Sequence, residues 1–447
     1  MASLRFSLAT PYVPPRRAST SPKMQSTITA NGSHHATVNG HHEHNNDVPS
    51  PRSPTPNSQQ QPTSTSTSRP AGPLARIPTS HLVRSLLLHT ITSNPTLLKV
   101  GSTIMKKTAD RIDYIPPLKW VVDKTFYAHF CAGSSAPAIS STITSLRSLG
   151  YTGIILAYAR EVDVSSTSSS SSSSSSASEI QQWLTGTLRT ISLCTPHDFL
   201  AIKFTGAGSS IIPLLRDQRP WSDLPGMSSA IEQICSAAKE KGVGLLVDAE
   251  QATLQLGVDK WAIEMMKQYN TTDTSGVTVY NTYQMYLKRS EGNLRRHMME
   301  AKNEGWKLGV KLVRGAYLHT DPRELIHDTK KETDEAYNAA LAHLVRANTD
   351  TVVATHNKES VEIARRIAPQ PPQNRLVFAQ LMGMADELSQ ELVGSGERVV
   401  KYAVWGGTGE CVKYLLRRAE ENMDAVGRSR ENWTATVEEL MRRWKGI

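Results

Sequence analysis

The sequence predicts an α/β fold, namely a (β/α)8 TIM-type barrel that follows an N-terminal α-helical arm and a disordered N-terminal tail. Eight short apolar or β-branched segments occur after residue 145, and each is followed by a helical pattern, as expected for parallel βαβ units. A doubly wound open sheet is the alternative, but no GxGxxG motif opens any of the helices. With 38% hydrophobic and 20% charged residues, the chain of 447 residues has enough apolar side chains for such a core.

Residues 1–76 are predicted to be an import presequence and a disordered tail. No acidic residue precedes Glu43, whereas Arg5, Arg16 and Arg17 supply positive charge, a composition typical of organellar presequences. A disordered tail that happens to lack acidic residues is the alternative. Residues 47–72 are rich in Pro and Ser and continue the tail.

The charge distribution argues against nucleic-acid binding. Residues 1–79 hold seven basic and two acidic residues, so 7 − 2 gives +5 of the total net charge of +9 and leaves +4 for the rest. A weakly basic body offers no stripe of positive charge to a phosphate backbone. The cysteines, at 131, 194, 235 and 411, form no metal-binding or disulfide spacing, so we expect no metal site. Without a long apolar run, any membrane contact should be peripheral.

Residues 77–144 are predicted to form the α-helical arm. Apolar residues recur at three- and four-residue intervals after Thr79-Ser80, a predicted N-cap, at Leu82, Leu86, Leu87 and Ile91. We expect a break at Pro116-Pro117. The basic residues Lys106, Lys107, Lys119 and Lys124 are consistent with contact to anionic lipid or with an ordinary solvated helix face.

Residues 145–430 are assigned to the barrel and residues 431–447 to a C-terminal helix. The eight predicted strands are 153–158, 199–204, 243–248, 277–281, 308–313, 352–356, 376–379 and 398–402. The serine run at 165–178 interrupts the first βα connection, and its composition predicts a disordered surface insertion.

Polar residues close most of these strands, where barrel enzymes place their active sites. They are Lys203, Asp248, Gln284, Arg314, His356, Asn357, Gln380 and Tyr402. One such residue alone often caps the next helix, but a set at equivalent positions predicts a polar site at the mouth of the barrel.

Asp248-Ala249-Glu250 closes the third strand with two carboxylates on opposite faces, so only one of them can point into the mouth. The alternative is that Asp248 caps the following helix. Lys203 lies in an apolar strand and needs a carboxylate or an anionic ligand to offset its desolvation. Asp248, one strand away, is its predicted partner.

Two further segments carry cations. Lys311 and Arg314 are followed by Gly315, which would let the backbone approach a phosphate or an electron-rich ring. In the last barrel helix, adjacent Arg417 and Arg418 suit a substrate carboxylate. The alternative is an ordinary surface pair of Arg417 with Glu421, four residues later.

Together, these motifs resemble those of the FAD-dependent mitochondrial proline dehydrogenase family over roughly residues 120–425. The motifs are Asp248-Ala249-Glu250, Thr282-Tyr283-Gln284, Lys311-Leu312-Val313-Arg314-Gly315-Ala316-Tyr317, Ala354-Thr355-His356-Asn357, Phe378-Ala379-Gln380-Leu381-Met382-Gly383-Met384 and Leu415-Leu416-Arg417-Arg418-Ala419-Glu420-Glu421-Asn422. Each is weak alone, but their combination in this order is specific.

The resemblance implies oxidation of L-proline to Δ1-pyrroline-5-carboxylate, with FAD as cofactor and a membrane quinone as electron acceptor. It also implies peripheral contact with the matrix side of the inner mitochondrial membrane. The residues implied to bind the flavin are Gln284, Lys311, Val313, Arg314, Gly315, Ala316, His356, Asn357 and Glu421. Those implied to form the proline pocket are Lys203, Asp248, Leu381, Tyr402, Arg417 and Arg418.

One segment departs from the family pattern. Where the family usually has Tyr-x-Pro-Tyr-Gly, this chain has Tyr402-Ala403-Val404-Trp405-Gly406, which lacks the proline and changes the second aromatic residue. A hydroxyproline dehydrogenase and a catalytically inactive barrel with a binding role remain alternative functions.

Overall fold

The computed structural model describes residues 72–109, 111–159, 173–272, 276–368, 375–421 and 426–446. Residues 1–71 of the predicted presequence and tail, and most of the serine run, lie outside these residues. The last part of the predicted disordered tail is ordered instead, because residues Pro73–Arg76 form a 3-10 helical turn whose Leu74 side chain is buried. Among the described residues, no helix is both long and apolar enough to cross a bilayer.

The arm comprises five helices and one strand. They are α1 (Thr79–Ser93), α2 (Pro95–Thr108), α3 (Pro116–Val122), α4 (Ala128–Phe130), β1 (Cys131–Gly133) and α5 (Ala136–Ser148). A π-helical turn, Asp123–Tyr127, joins α3 to α4. Pro116 and Pro117 occupy the first turn of α3, where a missing N–H costs nothing, so the predicted break is also a helix start.

Two expectations for the arm are wrong. Thr79 is the first residue of α1 and Pro78 occupies the N-cap position, so Thr79-Ser80 is not the cap. The arm is not wholly helical either, because β1 pairs Cys131 with Val404 in the last barrel strand.

The barrel prediction is confirmed by eight parallel strands. They are β2 (Gly153–Tyr158), β3 (Phe199–Ile202), β4 (Gly244–Val247), β5 (Val279–Gln284), β6 (Gly309–Val313), β7 (Asp350–Ala354), β8 (Leu376–Leu381) and β9 (Val399–Trp405). Because β9 pairs with both β8 and β2, the sheet closes on itself.

Helices cover the outside of the barrel. They are α6 (Ser173–Leu193), α7 (Ile211–Arg216), α8 (Met227–Lys241), α9 (Ala252–Tyr269), α10 (Ser290–Glu304), α11 (Lys330–Arg346), α12 (Lys358–Ile367), α13 (Asp386–Gly394) and α14 (Thr408–Glu421). The last helix, α15 (Val426–Trp444), packs on α1.

Side chains alternate along each strand between the barrel interior and the helix layer. Ile155, Phe199 and Leu246 belong to the interior cluster, whereas their neighbours Ile154 and Leu245 pack against the helices. This period of two fixes which residues can reach the mouth.

The serine run differs from its prediction at its C-terminal end. Helix α6 begins at Ser173, so residues 173–178 are helical rather than part of a disordered insertion. Downstream residues at helical spacing, including Ile180, Trp183 and Leu184, are buried. Because this buried face already holds the helix in place, the serine residues can extend it by another turn without the cost of starting a new helix.

Val404, which stands where the family usually has proline, lies within the last barrel strand. Strand β9 runs on to Trp405, so Tyr402 lies within the last strand and does not end it as expected. Val404 aligns with Ala157 on one side and Cys131 on the other. A residue with a backbone N–H at this position can take part in the ladder, which a proline cannot.

A buried histidine joins the arm to the barrel. His129 is fully buried, its Nε2 lies 3.0 Å from the Gly383 carbonyl oxygen, and its ring centroid lies 4.9 Å from that of His81. Burial lowers the pKa of His129 to about 3, so the ring is neutral at physiological pH.

We expect acid to weaken the fold through His129. An unfolded histidine titrates near pH 6.5. Between pH 6.5 and 3 the unfolded state therefore binds a proton that the folded state does not, and stability falls as the pH falls. From pH 7 to pH 5, His129 should account for a loss of about 2 kcal/mol.

Urea unfolding of the wild type and His129→Gln at pH 7, 6 and 5 measures this. His297, whose pKa burial lowers to about 4, keeps part of the acid sensitivity in both proteins. An identical pH slope for the two proteins would contradict the assignment.

Candidate active site

A cavity of about 250 Å³ opens at the C-terminal ends of the barrel strands. It is lined by twelve of the predicted site residues: Lys203, Asp248, Gln284, Lys311, Val313, Arg314, Gly315, Ala316, His356, Asn357, Leu381 and Tyr402. The structure thus brings these residues together, whereas their roles in binding remain predictions. The other three, Arg417, Arg418 and Glu421, lie on α14, and their side chains fall outside the described residues.

Asp248, which follows β4, contacts side chains from β6 and β9. The Lys311 Nζ lies 2.5 Å from Asp248 Oδ1, and the Tyr402 hydroxyl donates to Oδ2 at 2.9 Å. The Lys311 ammonium also lies 4.9 Å from the centroid of the Tyr402 ring. Asp248 therefore faces the mouth and does not cap α9, whose N-cap position is Gln251. The ion pair seen for Asp248 is with Lys311, two strands away, and not the predicted pair with Lys203.

Glu250 points away from the mouth, as the alternation predicts. Its two carboxylate oxygens accept from the Thr205 N–H at 3.0 Å and the Thr205 hydroxyl at 2.6 Å. Burial raises the pKa of Glu250, an effect that the nearby Lys203 ammonium opposes. This carboxylate fixes the loop that follows β3 and thereby the position of Lys203.

Two tyrosines at the site had no assigned role in the sequence. The Lys203 Nζ lies 3.2 Å from the Tyr317 hydroxyl, which lies 3.4 Å from the Ala249 carbonyl oxygen. Tyr414, from α14, lines the cavity, and its ring stacks on that of Tyr402 at 6.5 Å between centroids. Tyr317 ends the motif that begins at Lys311, so the sequence carries a signal for it, whereas Tyr414 follows the helical pattern of an ordinary core residue.

Gln284 and Gly315 shape the loop after β6. The Gln284 amide donates to the Glu250 carbonyl at 3.0 Å and accepts from the Ala316 N–H at 3.0 Å. A Cβ on residue 315 would lie 1.9 Å from the Tyr286 ring, so glycine is required here by packing inside the protein. The expected reason, close approach to a ligand, is therefore not needed to explain Gly315.

Arg314 is held in place by residues of α11, of α12 and of the loop after β7. Its guanidinium donates to Asp334 at 2.6 Å, to Thr355 at 2.9 Å and to Ser360 at 2.9 Å. It also lies over the Tyr337 ring, 4.4 Å from the centroid. These contacts give a long, flexible side chain one fixed orientation at the cavity wall.

His356 and Asn357 follow β7. The Leu381 N–H donates to His356 Nε2 at 3.1 Å, so the neutral ring carries its proton on Nδ1. The Asn357 side chain accepts from the Ser360 N–H at 3.1 Å and caps α12. Both contacts fix the loop beside Leu381.

The cavity suits a planar, acceptor-rich group. Lys311, Arg314 and the His356 ring supply donors, while Ala316, Ala354 and Ala379 leave room for a flat ring among small apolar side chains. Within the described parts of the chain, no group of three or more His, Cys, Asp or Glu side chains could hold a metal ion.

Comparison with known proteins gives a consistent result. The family described as proline dehydrogenase matches residues 139–431. The probable mitochondrial proline dehydrogenase of Schizosaccharomyces pombe is 30% identical over an aligned length of 394 residues. The match covers 71% of this chain and 79% of that protein. Mitochondrial proline dehydrogenase 1 of Arabidopsis thaliana is 28% identical over 82% of this chain and 84% of its own length.

A solved structure shares the fold. Proline utilization A (PutA) from Bdellovibrio bacteriovorus superposes with a TM-score of 0.58 at 18% identity, over 77% of this chain and 36% of that much longer one. The residues that match the family, 139–431, include all eight barrel strands and every strand end that lines the cavity. The chain therefore belongs to the proline dehydrogenase family.

Proposed function

We propose that the protein oxidises L-proline to Δ1-pyrroline-5-carboxylate with FAD as its cofactor. The observation that carries this proposal is the cavity in which Asp248, Lys311 and Tyr402 join in one network, within the segment that matches the family. When bound, FAD would supply the hydride acceptor, so the protein needs no nucleophile of its own.

The polar wall between β5 and β8 would hold the flavin. Lys311 and Arg314 would place positive charge beside the ring, which favours its anionic reduced form. His356 would present its Nδ1–H as a donor, because its Nε2 is occupied by Leu381. Gln284 would act through the loop that it fixes, since both ends of its amide bond the backbone.

The proline pocket would be formed by residues that also line the cavity, namely Lys203, Asp248, Leu381 and Tyr402. Tyr317 would hold Lys203 in place through its hydroxyl. By the family resemblance, Arg417 and Arg418 would fix the carboxylate, which orients the ring carbon for hydride loss. Orientation of this kind can contribute several kcal/mol to the rate.

We also propose that the chain acts in mitochondria, on the matrix side of the inner membrane, and passes electrons to a membrane quinone. The mitochondrial relatives and the acid-free N-terminus support this placement. Import into isolated mitochondria, followed by N-terminal sequencing, tests it. A product that still begins at Ala2 would contradict removal of a presequence.

Dye-coupled turnover tests the activity itself. Purified protein is expected to carry flavin absorbance and to oxidise L-proline faster than D-proline or 4-hydroxyproline. Faster turnover of hydroxyproline would favour the sister activity. A folded protein without flavin or turnover would favour the inactive barrel.

We expect flavin retention to depend on Arg314 more than on Lys203. Arg314→Ala removes a charge fixed beside the proposed ring, whereas Lys203→Ala removes one on the substrate side. The ratio of flavin absorbance to protein should fall in Arg314→Ala and stay near the wild-type value in Lys203→Ala, which should turn over slowly. Thermal unfolding separates flavin loss from loss of fold, since Arg314 also contacts Asp334. Wild-type flavin absorbance and wild-type activity in both variants would contradict the assignment of Arg314 to the flavin and of Lys203 to the substrate.

Tyr402 is expected to set the preference for proline. Its hydroxyl donates to Asp248, and its ring contacts the Lys311 ammonium and the Tyr414 ring, so these contacts hold the ring in place against a larger substrate. Tyr402→Ser should slow proline turnover and raise the relative kcat/KM for 4-hydroxyproline by roughly tenfold or more. Tyr402→Phe, which loses the bond to Asp248 but keeps the ring and its contacts with Lys311 and Tyr414, is the matched control and should retain most of the preference. An unchanged preference in Tyr402→Ser would exclude this role.

A further inference from the structure

A short stretch of the arm exposes large apolar side chains. Tyr114 is 85% exposed, Trp120 is 64% exposed and Val121 is 49% exposed. Pro117, Trp120, Val121 and Lys124 lie three and four residues apart and therefore share one helical face across α3 and the π-helical turn. The opposite face is docked, because Val122 is buried and Leu118 packs against the interior cluster.

Helix α2 also exposes large apolar side chains to solvent. Val100 and Ile104, one turn apart, are 54% and 49% exposed. The exposed residues of this helix also include Lys99, Lys106 and Lys107, and it contains no acidic residue. Apolar side chains flanked by lysines are typical of helices that lie in the interface of an anionic bilayer.

The arm is fixed next to the mouth of the barrel. The Lys119 Nζ donates to Asp123 and Thr408, both at 2.7 Å, and the Tyr127 hydroxyl donates to the Gly406 carbonyl at 2.7 Å. Gly406 and Thr408 belong to the segment from β9 to α14, which leads from Tyr402 to Tyr414. The exposed face of α3 therefore belongs to an element seated beside the cavity.

We propose that this surface, defined as Tyr114, Pro117, Trp120, Val121 and Lys124 with the exposed face of α2, docks on an anionic lipid bilayer. Trp and Tyr favour the headgroup region because their rings are apolar and their polar atoms remain hydrated. The lysines add attraction to negatively charged headgroups. Docking here brings the cavity close to the membrane, and this inference rests on the proposed transfer of electrons to a membrane quinone.

Vesicle sedimentation with the full chain tests the surface. Wild-type protein is expected to bind phosphatidylcholine vesicles that contain phosphatidylglycerol and to bind pure phosphatidylcholine much more weakly. Trp120→Glu should weaken binding by roughly tenfold or more, because a large apolar side chain is lost from the interface. Lys106→Glu with Lys107→Glu should weaken it by more than roughly tenfold, since each basic residue contributes about fivefold.

Trp444→Glu is the matched control, because Trp444 is 87% exposed on α15, outside the proposed surface. This variant should bind vesicles as the wild type does. Equal losses in Trp120→Glu and Trp444→Glu, equal binding to neutral vesicles, or no vesicle binding at all would overturn the inference. So would a wild-type dimer that Trp120→Glu converts to a monomer, since a second copy would then cover the surface.

Two turnover assays separate this inference from the proposed activity. With a soluble dye, Trp120→Glu should oxidise proline at the wild-type rate, which also shows that it is folded. With ubiquinone embedded in anionic vesicles, its rate should fall roughly as its vesicle binding falls. Equal rates for both proteins with vesicle quinone would overturn the inference, whereas wild-type protein that fails with the dye would overturn the proposed activity.

Discussion

Replacing Asp248 with alanine is expected to lower the free energy of unfolding by about 3 kcal/mol and to reduce proline turnover by at least about a hundredfold. The Lys311 side chain is only 8% exposed, and Asp248 is its ion-pair partner at 2.5 Å. Without the carboxylate, a nearly buried ammonium is left without its counter-charge, and Tyr402 loses the acceptor that fixes its hydroxyl. The stability loss is placed at the low end for a broken buried pair because the cavity admits water.

A double variant separates the two effects. Asp248→Asn with Lys311→Met removes both charges and should recover most of the stability, but not the turnover, because the Lys311 ammonium proposed to lie beside the flavin is also lost. Urea unfolding and steady-state kinetics of the single and double variants measure this. A stable Asp248→Ala protein, or a double variant less stable than the single one, would contradict the role of this pair.

Replacing Asp386 with alanine is expected to destabilise the protein by about 4 kcal/mol. Lys401 is 1% exposed, and its Nζ lies 2.8 Å from Asp386 Oδ1, with the Met384 carbonyl and the Ser389 hydroxyl also at 2.8 Å. Asp386 also pairs with His81 of α1 at 3.2 Å. Removal of the carboxylate would therefore strand a buried ammonium and release one contact between the arm and the barrel.

The pH dependence of this pair follows from its electrostatics. Burial alone would raise the pKa of Asp386, but the Lys401 ammonium and His81 hold the pKa well below its usual range. A depressed carboxyl pKa contributes stability above the unfolded pKa, near 4, and this stability is lost as the pH falls toward the folded value. Asp386→Ala should therefore lose less stability on acidification below pH 4 than the wild type.

An exposed pair provides the control for Asp386. Asp328, paired with Lys288 at the surface, is 73% exposed, so Asp328→Ala should cause no measurable loss of stability. Chemical denaturation of both variants at pH 7 gives the comparison. If the two losses are equal, the buried pair does not contribute as argued. Asp386→Asn with Lys401→Met should recover stability if the stranded charge is the cause.

The sequence alone was sufficient for the architecture and for the location of the site. Eight apolar segments alternating with helical patterns define a closed parallel barrel, because parallel strands require crossover helices and all C-terminal strand ends then lie on one face. The sequence therefore predicts that polar residues at those ends, such as Asp248, Gln284 and His356, share one cavity. Because side chains alternate in direction along a strand, Asp248-Ala249-Glu250 likewise predicts that only one of the two carboxylates faces the mouth.

Only the tertiary structure decided which residues are partners. Lys203 was the nearer candidate for Asp248 by strand order, yet Lys311 forms the pair, because strands that tilt around a barrel bring side chains from non-adjacent strands to the same height. Gly315 is required by the Tyr286 ring, which is distant in sequence, and Ser173 joins a helix because the turns after it are buried. Local sequence patterns determine whether a segment forms a helix or a strand and which face its side chains occupy. Which side chains become partners depends on distances across the barrel, and these are set only when all eight strands close.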